Sequence, residues 1–250
     1  MVYGTIKDTN GQSISYVNIS INGWYNNFSD SLGNYKVLVK DSDKIQLSCI
    51  GYKTVSLEGR ELFKLPTQIL NRSDISLDSI VVRKPNQPLD LKFPRRIIKM
   101  GYEYNFSFEE GVILQNKNFE NQIIKGVSIN CGLKGNPKIP FRLNFYSLNT
   151  NGLPDKLLNK EQIIIFPKDK LNLEKINLEN QKIQFPKYGI CISLELVNPS
   201  TVKKKLGKNY MPIIGFDKKS NNQRVIRTDY LPNWSKFKSF GNTMAIGLYF

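Results

Sequence analysis

The chain has 250 residues, 40% of them hydrophobic and 11% aromatic, enough to fill one large or two ordinary cores, which argues against global disorder. It contains no histidine, and that removes Ser-His-Asp triads, Cys-His dyads and His-ligated zinc together. A formal net charge of +15, from 36 Lys+Arg against 21 Asp+Glu, raises nucleic acid or an anionic glycan as a partner, yet the lysines are scattered rather than gathered into one stripe.

In chain order, hydrophobic alternation with a period of two recurs throughout, and no window carries a helical stripe over three turns. Val17, Ile19 and Ile21 place apolar side chains on one face, as do Tyr35, Val37 and Val39, then Ile45, Leu47 and Cys49. Turn chemistry separates these runs: "DTNG" at 8–11, "NG" at 22–23, "LGN" at 32–34 and "DSD" at 41–43. This predicts a small sandwich of short antiparallel strands over residues 1–83.

Pro85 and Pro88 in "RKPNQPLD" deny ladder donors and stiffen the backbone, so residues 84–91 are predicted to be a linker. Residues 92–250 then supply longer alternating runs at Val127–Ile129–Cys131–Leu133, Phe141–Leu143–Phe145, 163–166, Ile190–Ile192–Leu194–Leu196 and Met244–Ile246–Leu248–Phe250. Eight or so strands closing as a larger jelly-roll-like β-sandwich are expected, making the whole chain all-β. Phe250 continues its run, which ties the C-terminal residues into a sheet.

The longest apolar run, 188–197, is interrupted by Ser193 and Glu195 and falls short of the roughly 20 residues a spanning helix needs, so no transmembrane segment is expected. The opening "MVYGTIKD" lacks the basic and apolar regions of an export signal, consistent either with a cytosolic protein or with a trimmed, exported one. Cys49, Cys131 and Cys191 cannot all pair within one chain and form no metal-ligand spacing. Free thiols are the plainer reading, with a Cys131–Cys191 bridge as the alternative.

The segments "VYGTIKDTNGQSISYVNISI", "FSDSLGNYKVLV", "DKIQLSCIGYKTVSL" and "ISLDSIVV" together resemble the carboxypeptidase-regulatory-like, or transthyretin-like, domain of exported Bacteroidetes proteins. The resemblance covers the first third of the chain and rests on Gly4, Asp8, Gly11, Val17, Asp30, Gly33, Tyr35, Gly51 and Tyr52 in order. It implies a transthyretin/prealbumin-like sandwich serving as a non-catalytic spacer or adaptor, and an extracytoplasmic location in the periplasm, on the outer membrane or outside the cell. The later segments "IPFRLNFYSLNTNGLPDKLL" and "KIQFPKYGICISLEL" resemble a sandwich that often trails this domain in Bacteroidetes proteins.

Two aromatic groups are candidate binding sites. Trp24 and Tyr25 follow the Asn22–Gly23 turn, and a loop tip there would expose them as a platform for sugar rings or a partner surface; the other reading folds Trp24 back over the sandwich edge. "DYLPNWSKFKSF" at 229–240 concentrates Tyr230, Trp234, Phe237 and Phe240 among lysines before the last strand, either as a glycan or peptide cleft or as a cap over the core.

Acidic pairs such as Glu109–Glu110 or Asp155–Glu161 could in principle do general acid and base work at suitable separation, but nothing in the sequence brings either pair to a cleft. "DTNGQS" places its glycine wrongly for a calcium loop. No catalytic residue, metal or cofactor is assigned. The basic clusters "VKKKLGK" at 202–208 and "FPRRIIK" at 93–99 lack the aromatic interleaving of a single-strand platform, so nucleic acid is not the expected partner. The reading is a non-catalytic binding or scaffold protein of the envelope, meeting a glycan or envelope protein. The alternatives are an accessory domain pair of a larger glycan- or peptide-processing enzyme, and a basic nucleic-acid-binding protein.

Overall fold

Inward-facing residues two apart build the first sandwich from β1 (Val2–Asp8), β2 (Asn18–Ile21), β3 (Trp24–Phe28), β4 (Asn34–Val37), β5 (Lys44–Ser48), β6 (Val55–Glu58), a short helix α1 (Gly59–Lys64) and β7 (Thr67–Leu70). The computed structural model describes residues 1–73, 94, 97–101, 108–134, 139–168, 170–197, 211–217, 222–228, 233–237 and 243–250. The predicted linker at 84–91 lies outside the described residues.

One sheet has the order β4-β1-β7 and the other β3-β2-β5-β6. All pairs are antiparallel except β1 with β7, which is parallel, so the expectation of a purely antiparallel sandwich is corrected at that edge. A parallel neighbour needs a long crossover, and the segment from β2 through α1 lies between β1 and β7 in the chain. Ile6, Val17, Ile19, Val37, Ile45, Leu47 and Leu62 fill the space between the sheets.

Gly4 and Tyr35 explain each other. They are register partners on β1 and β4, and a Cβ on Gly4 would lie 2.4 Å from the Tyr35 hydroxyl oxygen and 2.0 Å from the Pro66 carbonyl oxygen. Tyr35 therefore lies flat where Gly4 has no side chain, is wholly buried rather than set at the sandwich edge, and donates its hydroxyl to the Pro66 carbonyl at 2.7 Å. Asp8 and Asp30 close their turns by accepting from the backbone two and four residues on, at Asn10 and Gln12 and at Leu32 and Asn34, all at 2.9 Å.

The second sandwich comprises β8 (Ile97–Gly101), β9 (Phe108–Leu114), β10 (Gly126–Lys134), β11 (Phe141–Leu148), β12 (Pro154–Leu157), β13 (Ile163–Ile165), β14 (Asn172–Asn177), β15 (Ile190–Leu196), β16 (Met211–Asp217), β17 (Gln223–Thr228), β18 (Ser235–Phe237), β19 (Thr243–Met244) and β20 (Ile246–Tyr249). These thirteen strands among the described residues exceed the eight or so expected. The surplus comes from short or largely polar segments: β12, β14 and β18 carry too little alternation to be read alone. The last run is also not continuous, because Ala245 turns its amide to the Gly215 carbonyl at 2.9 Å and separates β19 from β20.

A six-stranded sheet follows β14-β10-β16-β19, with β20 also on β10 and β8 on β16. A seven-stranded sheet follows β12-β11-β15-β9-β17-β18, with β13 also on β11. Phe141, Phe145, Ile192 and Leu194 from the second sheet meet Val127, Ile129, Ile214 and Phe216 from the first in one core. The chain is thus all-β, with two sandwich-like units.

All three cysteines are free and buried. Cys131 lies in the core between the large sheets, whereas Cys191 belongs to a separate cluster on the other face of the seven-stranded sheet. The alternative Cys131–Cys191 bridge is therefore corrected: the two thiols are on opposite sides of a sheet. Burial pushes the Cys49 thiol up to about 11 and Cys131 up to about 12, and with Glu109 it holds Cys191 well above the ordinary value. Thiol titration at pH 8 should find no fast-reacting cysteine in the folded protein and three after denaturation; a fast native thiol would contradict this packing.

Candidate functional site

Strand β15 is buried on both faces. Ile190, Ile192, Leu194 and Leu196 enter the core, and alternation sends Cys191, Ser193 and Glu195 outward, where a sandwich ordinarily meets water. Here that face meets the first sandwich. Arg142 donates through Nη2 to the carbonyl of Tyr16, and Gln162 donates through Nε2 to the Ser15 carbonyl at 3.0 Å, also approaching Cys49 Sγ at 3.0 Å. Tyr16, Phe28 and Val197 form a small apolar cluster, with Ile164 packed on it, that bridges the two units. Tyr16 holds a left-handed backbone with φ of 54°, unusual for an aromatic residue.

Sheet register assembles the site's central feature. Arg142 on β11 stands opposite Glu195 on β15, Glu195 opposite Glu109 on β9, and Glu109 opposite Arg227 on β17. The result is one row across four adjacent strands reading plus, minus, minus, plus. Two carboxylates directly opposite each other repel, and each is met by an arginine on its outer side.

The bonds are specific. Arg227 Nε donates to Glu109 Oε2 at 2.6 Å, while Glu109 Oε1 accepts from Ser193 Oγ at 2.5 Å, Asn144 Nδ2 at 2.8 Å and Tyr146 Oη at 3.0 Å. Both oxygens of Glu109 are thereby occupied. Glu195 Oε2 accepts from Arg142 Nη1 at 3.2 Å and from Asn144 Nδ2 at 3.2 Å. One amide nitrogen thus bridges the two carboxylates and fixes the orientation of the Asn144 side chain, because its oxygen in the same place would face two acceptors.

Burial raises the Glu195 carboxyl above the ordinary value, with Arg142 opposing and Glu109 adding to the rise. Burial and then Glu109 push Tyr146 well up, so its hydroxyl stays protonated and donates. For Arg227, burial acts downward and is outweighed by Glu109, Tyr146 and Glu195, which hold the guanidinium charged.

Between the row and the first sandwich lies a cleft of about 340 Å³. Arg142, Asn144 and Glu195 line one wall. Asn18, Phe28 and Ser48 line the other, themselves a row across β3, β2 and β5. Leu157 contributes apolar surface.

Of the residues singled out from sequence, Trp234 is brought to this site. Its half-buried ring meets Tyr146 edge-on at 5.6 Å, and the Arg227 guanidinium sits 4.8 Å from its centroid. It therefore caps the row, and the residues after it, Ser235–Phe237, form β18. Tyr230 lies outside the described residues. Trp24 and Tyr25 open strand β3, paired with Ile21 and Ser20, so the tip is the Asn22–Gly23 turn itself and the expected loop position is corrected; their side chains lie outside the described residues.

Glu109 and Glu110 do not form a pair. Alternation along β9 sends Glu109 to the outer row and Glu110 into the core beside Arg224. The residues that sequence reasoning missed are Arg142, Asn144, Tyr146, Glu195 and Arg227. For Arg142, Asn144, Tyr146 and Glu195 the signal is polar outward positions in two otherwise apolar strands, "FRLNFYSL" and "ICISLEL", whereas Arg227 lies in the polar-rich "QRVIRT" and gives no such signal.

Among the described residues no group of three or more His, Cys, Asp or Glu side chains is arranged to hold a metal, and no helix is long and apolar enough to cross a membrane. No family model matches the chain. No curated protein matches it. Among solved structures, it is similar to the cysteine protease and lectin-like domains of Cwp84, a surface layer associated protein of Clostridium difficile, at 8% identity and a TM-score of 0.43, over 65% of this chain. It is also similar to the structure of infectious bursal disease virus, Gt strain, at 12% identity and a TM-score of 0.27, over 99% of this chain. The chain spans 35% and 62% of those two chains, and likenesses at this level carry no functional argument.

Proposed function

We propose that this chain is a non-catalytic binding protein whose ligand site is the cleft between its two sandwiches. The carrying observation is the outward face of the seven-stranded sheet: in place of a solvated surface it presents a charge-balanced polar row, and the first sandwich roofs it while leaving a cavity. Clefts between units, with a few convergent polar groups among apolar walls, are where small ligands are taken. Glu109 is a poor nucleophile or base, since Arg227, Ser193, Asn144 and Tyr146 occupy its oxygens. The first sandwich serves as a spacer of the carboxypeptidase-regulatory-like kind, and the resemblance in its turns supports an envelope or exported setting.

A thermal-shift screen of the full chain against small polar compounds tests this, run beside Leu157→Trp, which enlarges a partly exposed residue on the cleft wall. A ligand should raise the wild-type melting temperature and leave the variant unmoved. Equal shifts in both proteins would place the site elsewhere. Turnover of a glycan or peptide that disappears in Glu195→Gln would make the chain an enzyme.

A further inference from the structure

We propose that the cleft takes one neutral, polyhydroxylated ring of monosaccharide size; this rests on the cleft being the ligand site. Three cleft-lining side chains carry a buried polar atom with no partner: Asn18 Oδ1, Asn144 Oδ1 and Arg142 Nε. Asn144 and Arg142 are only 2% and 5% exposed, so these atoms cannot turn to bulk water. A buried polar atom without a partner is costly, and such atoms cluster where a ligand completes them. Two of the three are acceptors and one is a donor. A hydroxyl answers both kinds, and several hydroxyls on one small frame answer all three.

Charge narrows the class further. Arg142 and Arg227 balance Glu109 and Glu195, so an anion would meet carboxylates and a cation would meet guanidiniums at the same depth. Neutral ligands escape both penalties. The volume of about 340 Å³ sits at the small end of ligand cavities, and the exposed Leu157 side chain on the cleft wall offers apolar surface to the C–H face of a ring. An extended peptide fits less well: β15 and β9 are interior strands with both ladders paired, leaving no free edge along the row for a peptide to join.

Calorimetric titration of the full chain with glucose, galactose, mannose and N-acetylglucosamine, beside glucuronate and glucosamine as charged counterparts, tests the class. At least one neutral sugar should bind, its charged counterpart about tenfold more weakly or worse, a difference of about 1.4 kcal/mol. Asn18→Ala should weaken the neutral sugar about tenfold, as expected when one buried hydrogen bond is lost. Asn144→Ala should act likewise, and because Asn144 also bridges two carboxylates, Asn18→Ala carries the result if that variant fails to fold. Sugar binding untouched by Asn18→Ala overturns the proposal. So does a different class, such as an N-acetyl amino acid amide, shifting the wild type and not Leu157→Trp while no neutral sugar binds; the cleft then stands and the sugar does not. No compound distinguishing wild type from Leu157→Trp removes the cleft itself.

Discussion

Glu110→Leu is expected to cost the second sandwich about 3–5 kcal/mol in urea unfolding, and adding Arg224→Met should recover the loss to within about 1 kcal/mol. The reason is placement. Alternation along β9 sends Phe108, Glu110, Val112 and Leu114 to the same side, so a fully buried carboxylate enters an apolar core. Arg224 meets it there: Nη2 donates to Glu110 Oε2 at 3.0 Å, Nε lies against Oε1, and the guanidinium stacks 5.0 Å from the Phe216 ring centroid. Both side chains are almost wholly out of water, at 7% and 0% exposure. Each charge offsets much of the cost of burying the other. Removing the carboxylate takes away the countercharge of a buried guanidinium, while removing both leaves two apolar side chains of similar bulk. Additive losses in the double variant would show that the pair contributes favourably in its own right.

The contrast between Glu109 and Glu110 also shows how far the sequence could be read. Alternation in "FEEGVIL" places the two residues on opposite faces, and alternation in "FRLNFYSL" and "ICISLEL" places Arg142, Asn144, Tyr146, Ser193 and Glu195 outward. Such local periodicity depends only on the pleat, which is why the all-β class and most core positions were legible. Turn residues were legible for the same reason: Asp8, Asp30, Gly11 and Gly33 act on backbone within four residues of themselves.

The site depends on something else. Its row forms because β11, β15, β9 and β17 are neighbours in that order and in one register, a pairing across long sequence distances that no local pattern encodes. Trp234 shows the same limit. Its aromatic character marked it as a candidate, but that it lies over Arg227 and Tyr146 follows from β18 joining β17. Solvated-looking outward residues became a buried site when the first sandwich and Trp234 covered them, and the Arg142–Tyr16 and Gln162–Ser15 bonds that hold the first of these join residues more than a hundred positions apart.

Arg142→Met should be the most damaging change in the row, about 3 kcal/mol at neutral pH, with a cost that depends on pH. Arg142 meets Glu195, the Tyr16 carbonyl and the Phe28 ring at once, so it serves both the row and the docking of the first sandwich. Its charge is also the leading influence holding Glu195 down against burial. Glu195 already sits above its ordinary value, and without Arg142 it should rise further. A carboxyl with a raised folded value gives stability that is fully present below the unfolded value of about 4.3 and is lost as pH rises through the folded one. The loss must be larger in the variant. The gap in unfolding free energy between wild type and Arg142→Met should therefore be smallest near pH 4, where only the docking contacts are missing, and widen toward neutrality. Glu195→Gln in the variant background should flatten that slope, because it removes the titrating group while keeping an amide of the same shape. A gap that stays constant with pH would mean Arg142 acts through docking alone, and loss of protease resistance between the sandwiches would then be its main signature.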